Sequence, residues 1–203
     1  PVGTNFSTYS VSGMVAPGNH KLKFQGDSVS DNTAFIDRVQ VSCSSRPELT
    51  PAGAVWKYDA SGNDLGNDWR TSGFDDSTWP SGWAPLGYGL TGQATLVPDN
   101  GQITTYFRTS FTATNVAACT NLTLRLLRAD GAVVYLNGID VLRSNLPTNS
   151  PVNFNSPASS KAIGIDQTLH YFTASVPAAL LLAGTNVLAV EVHQFQAGDG
   201  DLN

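Results

Sequence analysis

Apolar and polar residues alternate along much of this chain with a period of two, the spacing of a half-buried β-strand. In His20–Gln25 (HKLKFQ), Leu22 and Phe24 fall on one face and two lysines on the other. The turn signal Pro17-Gly18-Asn19 precedes it, and Thr33–Ser42 (TAFIDRVQVS) reads as a second strand after a polar loop. Further on, the pattern predicts strands over Ala54–Tyr58, Thr104–Ala113, Asn121–Arg128, Ala132–Leu136, Thr168–Val176 and Asn186–Phe195. Leu122, Leu124 and Leu126 share one face of theirs. In the last strand, Leu188, Val190 and Val192 share one face while Val187 and Ala189 take the other, so it reads as a central strand covered on both sides.

Between the two groups lies Ser44–Gly53 (SSRPELTPAG), which has two prolines and no period. It reads as a linker. The chain thus divides into residues 1–43, a linker at 44–53, and a longer unit at 54–203. About three strands are too few for an independent β domain, so the first segment is expected to be the closing strands of a sandwich, an incomplete unit. Pro177–Gly184 places Pro at the start and Gly at the end of a single helical turn. The stretches Ser61–Gln102 and Ser144–Gln167 are rich in turn residues and carry little periodicity.

Composition sharpens this into an all-β chain. Gly, Pro, Ser, Thr and Asn make up about two-fifths of it, and charged residues only 13%, against a usual value of about 25%. Aspartate outnumbers glutamate 14 to 2, and only 4 lysines occur, so surface-helix formers are scarce. A net charge of −5 argues against nucleic acid, which needs clustered Lys and Arg. No apolar run approaches the roughly 18 residues of a membrane span. Cys43 and Cys119 allow one disulfide, within or between chains, or two free thiols, and match no metal-ligand spacing.

Several segments together resemble a known module. Trp69 with Phe74–Trp79 (FDDSTW), Ala84–Gly89 (APLGYG), Tyr106-Phe107-Arg108, Ala129–Gly138 (ADGAVVYLNG), Arg143–Pro147 (RSNLP) and Gly184–Gln194 (GTNVLAVEVHQ) resemble a galactose-binding-like jelly roll of secreted bacterial proteins. Asp130–Gly138 is also similar to the sugar-binding sandwich of large glycosidases, with a tight turn at Asn137-Gly138. The resemblance spans about Ala54–Asn203 and implies a jelly-roll β-sandwich. Pro17–Phe24 and Asp31–Asp37 resemble the closing strands of another such sandwich. The chain departs from the pattern at Ala129, where related modules carry an acid, and at Ala197–Asn203, which stops short of the expected last strand.

The resemblance also implies a structural Ca²⁺. Asp75 and Asp76 are candidate ligands, or else caps of a turn; Asp199 and Asp201 form a second candidate pair. For sugar binding, the loop aromatics Trp83 and Tyr88 are the stacking candidates, with Asn137 as an amide hydrogen-bonding partner, whereas Trp56, Trp69 and Trp79 are expected in the core. Glu191 stands in an apolar strand and is expected to pair with Arg108 or Arg125. Three scattered histidines, no Gly-x-Ser-x-Gly elbow, no Cys–His signature and no phosphate loop leave no catalytic residues to name. The expectation is a non-catalytic extracellular or cell-surface module whose partner is a polysaccharide or cell-surface glycan. The alternative is a structural repeat of a filament or adhesin, with copies of itself as partners that share strands across open edges.

Overall fold

The computed structural model describes residues 48–164 and 170–202. The chain divides into two units, 1–45 and 46–203, and the second is the one described. The predicted strands before Ser42, and Cys43, lie outside the described residues.

The unit is all β. Among the described residues its ten strands are β1 (Val55–Asp59), β2 (Ser81–Trp83), β3 (Leu86–Gly87), β4 (Thr95–Leu96), β5 (Thr104–Ala113), β6 (Asn121–Leu126), β7 (Gly131–Leu136), β8 (Ile139–Ser144), β9 (Phe172–Pro177) and β10 (Gly184–His193). Six of them form one sheet in the order β2-β1-β5-β10-β7-β8. Its pairings are all antiparallel. β3 and β4 pair in parallel, β6 and β9 antiparallel, as two small sheets. The predicted turn after Pro177 is a 3-10 turn at Ala178–Leu180.

β10 is central, and both of its faces are covered. Leu188, Val190 and Val192 point into a core with Phe107, Ala132 and Val134, against which Leu124 and Leu126 of β6 and Leu86 and Tyr88 at β3 pack. This is the sandwich proper. Val187 and Ala189 point the other way, into a second core with Tyr106, Val133 and Tyr135. Two loop regions roof that core: Leu65, Trp69, Phe74 and Trp79 from one, Leu146, Val152 and Phe154 from the other. The long periodicity-free stretches are therefore tied down by apolar anchors.

The Asn137-Gly138 turn joins β7 to β8 as expected. Both residues have positive φ, 51° and 86°, the backbone that matches a tight hairpin to strand twist. Three strands, β2 to β4, lie inside the stretch 61–102 that carried no strand signal. With two or three residues each, they are too short to show a period. At the other end, Leu202 forms an antiparallel bridge with Tyr88 and is fully buried, so residues past β10 fold back onto β3.

Candidate functional site

The FDDSTW segment is held by charge. Asp76 Oδ2 accepts from Arg108 Nε at 2.8 Å and its Oδ1 from Lys57 Nζ at 2.7 Å. Arg108 also donates to the Trp69 and Thr71 carbonyls. Burial opposes ionisation of Asp76, but the Arg108 and Lys57 contacts outweigh it and hold the carboxyl below its ordinary value. Asp75, fully exposed, accepts from the Ser77 N–H at 3.0 Å, a contact that lowers its own pKa. Both oxygens of Asp76 are thus taken by cations, and Asp75 serves a turn. For Asp75 this contact matches the alternative reading of the pair, a cap of a turn.

β2 forms an edge of the large sheet. Trp83 on it is 64% exposed, and Val55, directly opposite on β1, is also exposed. Thr95 Oγ1 donates to the Trp83 carbonyl at 2.8 Å, and the neighbouring Leu96 is 75% exposed. Past the other end of the β1–β2 pairing lies a cavity of about 270 Å³ lined by Tyr58, Asp59, Trp79, Pro80, Pro98 and Asn100, among others. Aromatic rings and prolines sit there beside a carboxylate and an amide, the mixture suited to small polar ligands with apolar faces.

The other two sugar-binding candidates are committed to the fold. Tyr88 is buried, and its hydroxyl accepts from Gln194 Nε2 at 3.0 Å; the glycines around it suggested a loop, but it lies against the core beside Leu202. Asn137 donates from Nδ2 to the Leu180 carbonyl and Asn186 Oδ1 and accepts from the Val187 N–H, each at 2.9 Å. Its amide ties the hairpin turn to Leu180 and the start of β10, and both Nδ2 hydrogens are used there. Cys119 is half-buried and makes no disulfide among the described residues.

Glu191 is buried and its partners differ from those expected. Tyr135 donates to its Oε1 at 2.5 Å, with Arg70 at 3.9 Å, and His193 Nε2 lies 3.7 Å from its Oε2. Register explains the difference: β5 sets Tyr106, not Arg108, opposite Glu191, while Arg125 belongs to the small β6–β9 sheet and lies over the Tyr171 ring. Burial would raise the Glu191 carboxyl, but His193, Tyr135 and Arg70 outweigh it and keep the pKa below normal. His193 Nδ1 lies 2.9 Å from Thr104 Oγ1 and 2.8 Å from the Ser156 carbonyl. Glu191 and His193 are themselves shut off from solvent, on the β10 face that carries the second core.

A second acidic cluster joins Asp130 to Asp199 and Asp201, with ligand oxygens all within 4.8 Å of one another. Asp130 is fully buried; its oxygens accept from the Ala162 N–H at 2.6 Å and the Phe195 N–H at 2.8 Å. Burial raises its pKa over the pull of those two donors, and Asp199 adds to the rise. Lys161 Nζ reaches Asp199 Oδ1 at 2.6 Å and lies 4.0 Å from Asp201 Oδ2. The sequence points to Asp199 and Asp201 but not to Asp130, which lies within the strand motif ADGAVVYLNG. The bare hint was an acid preceding that motif's glycine.

No family model matches the chain, and no curated protein does. Among solved structures, a β-glucuronidase from an uncultured Clostridium sp. is similar over 78% of this chain and 24% of its own, at 18% identity and TM-score 0.47. Bacteroides uniformis β-glucuronidase 2, covalently bound to cyclophellitol-6-carboxylate aziridine, matches 71% of this chain at 18% identity and TM-score 0.44. A β-glycosidase from Bacteroides vulgatus matches 72% at 17% identity and TM-score 0.41. This chain spans only 14% and 17% of the two Bacteroides proteins.

Proposed function

We propose that residues 54–203 form a non-catalytic carbohydrate-binding module of a secreted or cell-surface protein, and that the glycan lies along the β2 edge. The observation that carries this reading is Trp83, a large aromatic left mostly exposed beside Val55 and Leu96. Exposed indole faces suit the C–H-rich faces of pyranose rings, and the cavity lined by Trp79, Asp59 and Asn100 past the other end of β2 sets polar groups beside aromatic ones. The commitment of Glu191 to Tyr135, Arg70 and His193 supports binding over hydrolysis, since a paired-carboxylate mechanism needs two acids flanking an accessible bond. A structural calcium, which the resemblance implies, fits this reading as a brace of the fold and not as a contact to sugar. Calorimetric titration with a panel of polysaccharides, on the wild type and Trp83→Ala, tests the proposal. Binding in the wild type that is lost in the variant is expected. No heat with any glycan, or equal affinity in Trp83→Ala, would sink it.

A further inference from the structure

We infer that the cavity past the end of the β1–β2 pairing takes a single non-acidic pyranose ring through its O–H or N–H donors and refuses uronic acids, with Asp59 setting that choice. The ligand class rests on the sugar-binding reading; the site is a second one, at the opposite end of β2 from Trp83. Room sets the first limit. At about 270 Å³ the cavity falls just below the roughly 300–1,000 Å³ of sites for drug-sized molecules, so it suits one ring and not a chain. Trp79, Tyr58, Pro80 and Pro98 give it aromatic and apolar walls, the surfaces against which the C–H face of a sugar packs.

Charge sets the second limit. Among the described residues that line the cavity, Asp59 alone carries a charge. Its Oδ1 is occupied, accepting from the Ser61 N–H at 3.0 Å and the Ser61 hydroxyl at 2.6 Å. Among the described residues no donor reaches its Oδ2, and no Lys or Arg pairs with it. Lys57, two residues back on the same face of β1, is drawn off to Asp76. Asn100 repeats the pattern: its Nδ2 donates to the Ala60 carbonyl at 3.0 Å, which leaves Oδ1 as an acceptor. The walls thus hold a carboxylate oxygen and an amide oxygen that want donors, and no cation to meet an anion. Sugar hydroxyl or ammonium groups fill that role with charge-assisted hydrogen bonds. A uronate would set a second carboxylate beside Asp59 with nothing to offset the repulsion. The walls are also fixed in advance. Phe74 braces Trp79 edge-on with ring centres 5.7 Å apart, and the Asn100–Ala60 contact ties together the two loops that bear the acceptors, so little ordering is needed on binding.

The test is a nuclear magnetic resonance titration of the full chain with the methyl glycosides of glucose, galactose, glucosamine, glucuronic acid and galacturonic acid. It follows the Trp79 indole N–H and the Asn100 side-chain amide in the wild type, Trp83→Ala and Asp59→Asn. At least one non-acidic glycoside should shift both signals saturably, and neither uronide should. Trp83→Ala should respond like the wild type, because its indole lies outside the cavity. Asp59→Asn keeps an oxygen for Ser61, so it should fold normally. It should bind the responding glycoside roughly 10- to 100-fold more weakly, as loss of a hydrogen bond to a charged group does, and the preference over uronides should narrow. If Asp59→Asn weakens every glycoside alike, or none, Asp59 does not set the choice. No shift at Trp79 and Asn100 with any of the five, or equal shifts from the uronides, would overturn the inference. Polysaccharide binding that needs Trp83 while these two signals stay still would sink this site alone and leave the Trp83 reading standing.

Discussion

Asp76 and Arg108, 32 positions apart in sequence, meet at 2.8 Å where the FDDSTW loop reaches the interior strand β5. The Arg108 side chain is 4% exposed, so its charge depends on that carboxylate and on the Trp69 and Thr71 carbonyls. Through Trp69, the pair governs how the first roof loop seats on the second core.

Asp76→Asn should therefore destabilise the unit by about 2 kcal/mol, somewhat less than loss of a fully buried partner because Asp76 is a quarter exposed. The loss should shrink in acid. With the folded carboxyl held below normal, the pair's contribution is complete above the unfolded value of about 3.9 and disappears as pH falls through the lower folded one. Urea unfolding of both proteins across that range checks it: the two midpoints should converge at low pH, and a constant gap would refute the ion-pair account.

Val190 packs between Phe107 and Val134 at the centre of the sandwich core. Val190→Ala should cost about 2 kcal/mol, a transfer term plus a cavity term. Leu124→Ala, on the half-buried β6, should cost less. A larger loss for Leu124 in chemical denaturation would mean that the small sheet, not β10, dominates the core.

Asn137 combines a positive φ with three side-chain hydrogen bonds. Asn137→Ala should lose both advantages and cost about 3 kcal/mol. Asn137→Gly restores the backbone freedom and should recover roughly 1 kcal/mol of that. Equal Tm values for the two variants would show that the amide contacts alone matter.

Gly89→Ala should push the 199–202 segment away, because its methyl would overlap the Gly200 carbonyl. The expected result is a lower Tm together with loss of the Tyr88–Leu202 pairing. Amide hydrogen exchange at Tyr88 and Leu202 reports it, since each N–H donates to the other's carbonyl at 2.9 Å. Protection unchanged from wild type would contradict the close approach.

Much of the sandwich was legible because its main strands are long. β5 has the bounds that alternation predicts, and β10 differs by two residues at either end. The hairpin at Asn137-Gly138 was legible because only certain residues accept two successive positive φ angles. What escaped was pairwise. β2 to β4 have too few residues for a period, and the partners of Glu191 follow from register, which no single strand encodes. Tyr88 looked like a loop aromatic because glycines flank it, yet the segment that buries it comes from the far end of the chain. The acidic cluster was half legible for the same reason: Asp199 and Asp201 are neighbours, while Asp130 joins them only through folding.

The two-sided burial of β10 also makes the strand intolerant of sliding. A shift of one residue against β5 and β7 would turn Glu191 and His193 into the apolar sandwich layer and carry Val190 and Val192 among the polar partners left behind. The buried charge thus acts as an indexing pin. A one-residue insertion or deletion within Val187–His193 should be far more damaging than any single substitution there, whereas an insertion in the exposed turn at Ala197–Gly198 should be absorbed with the strand still in step.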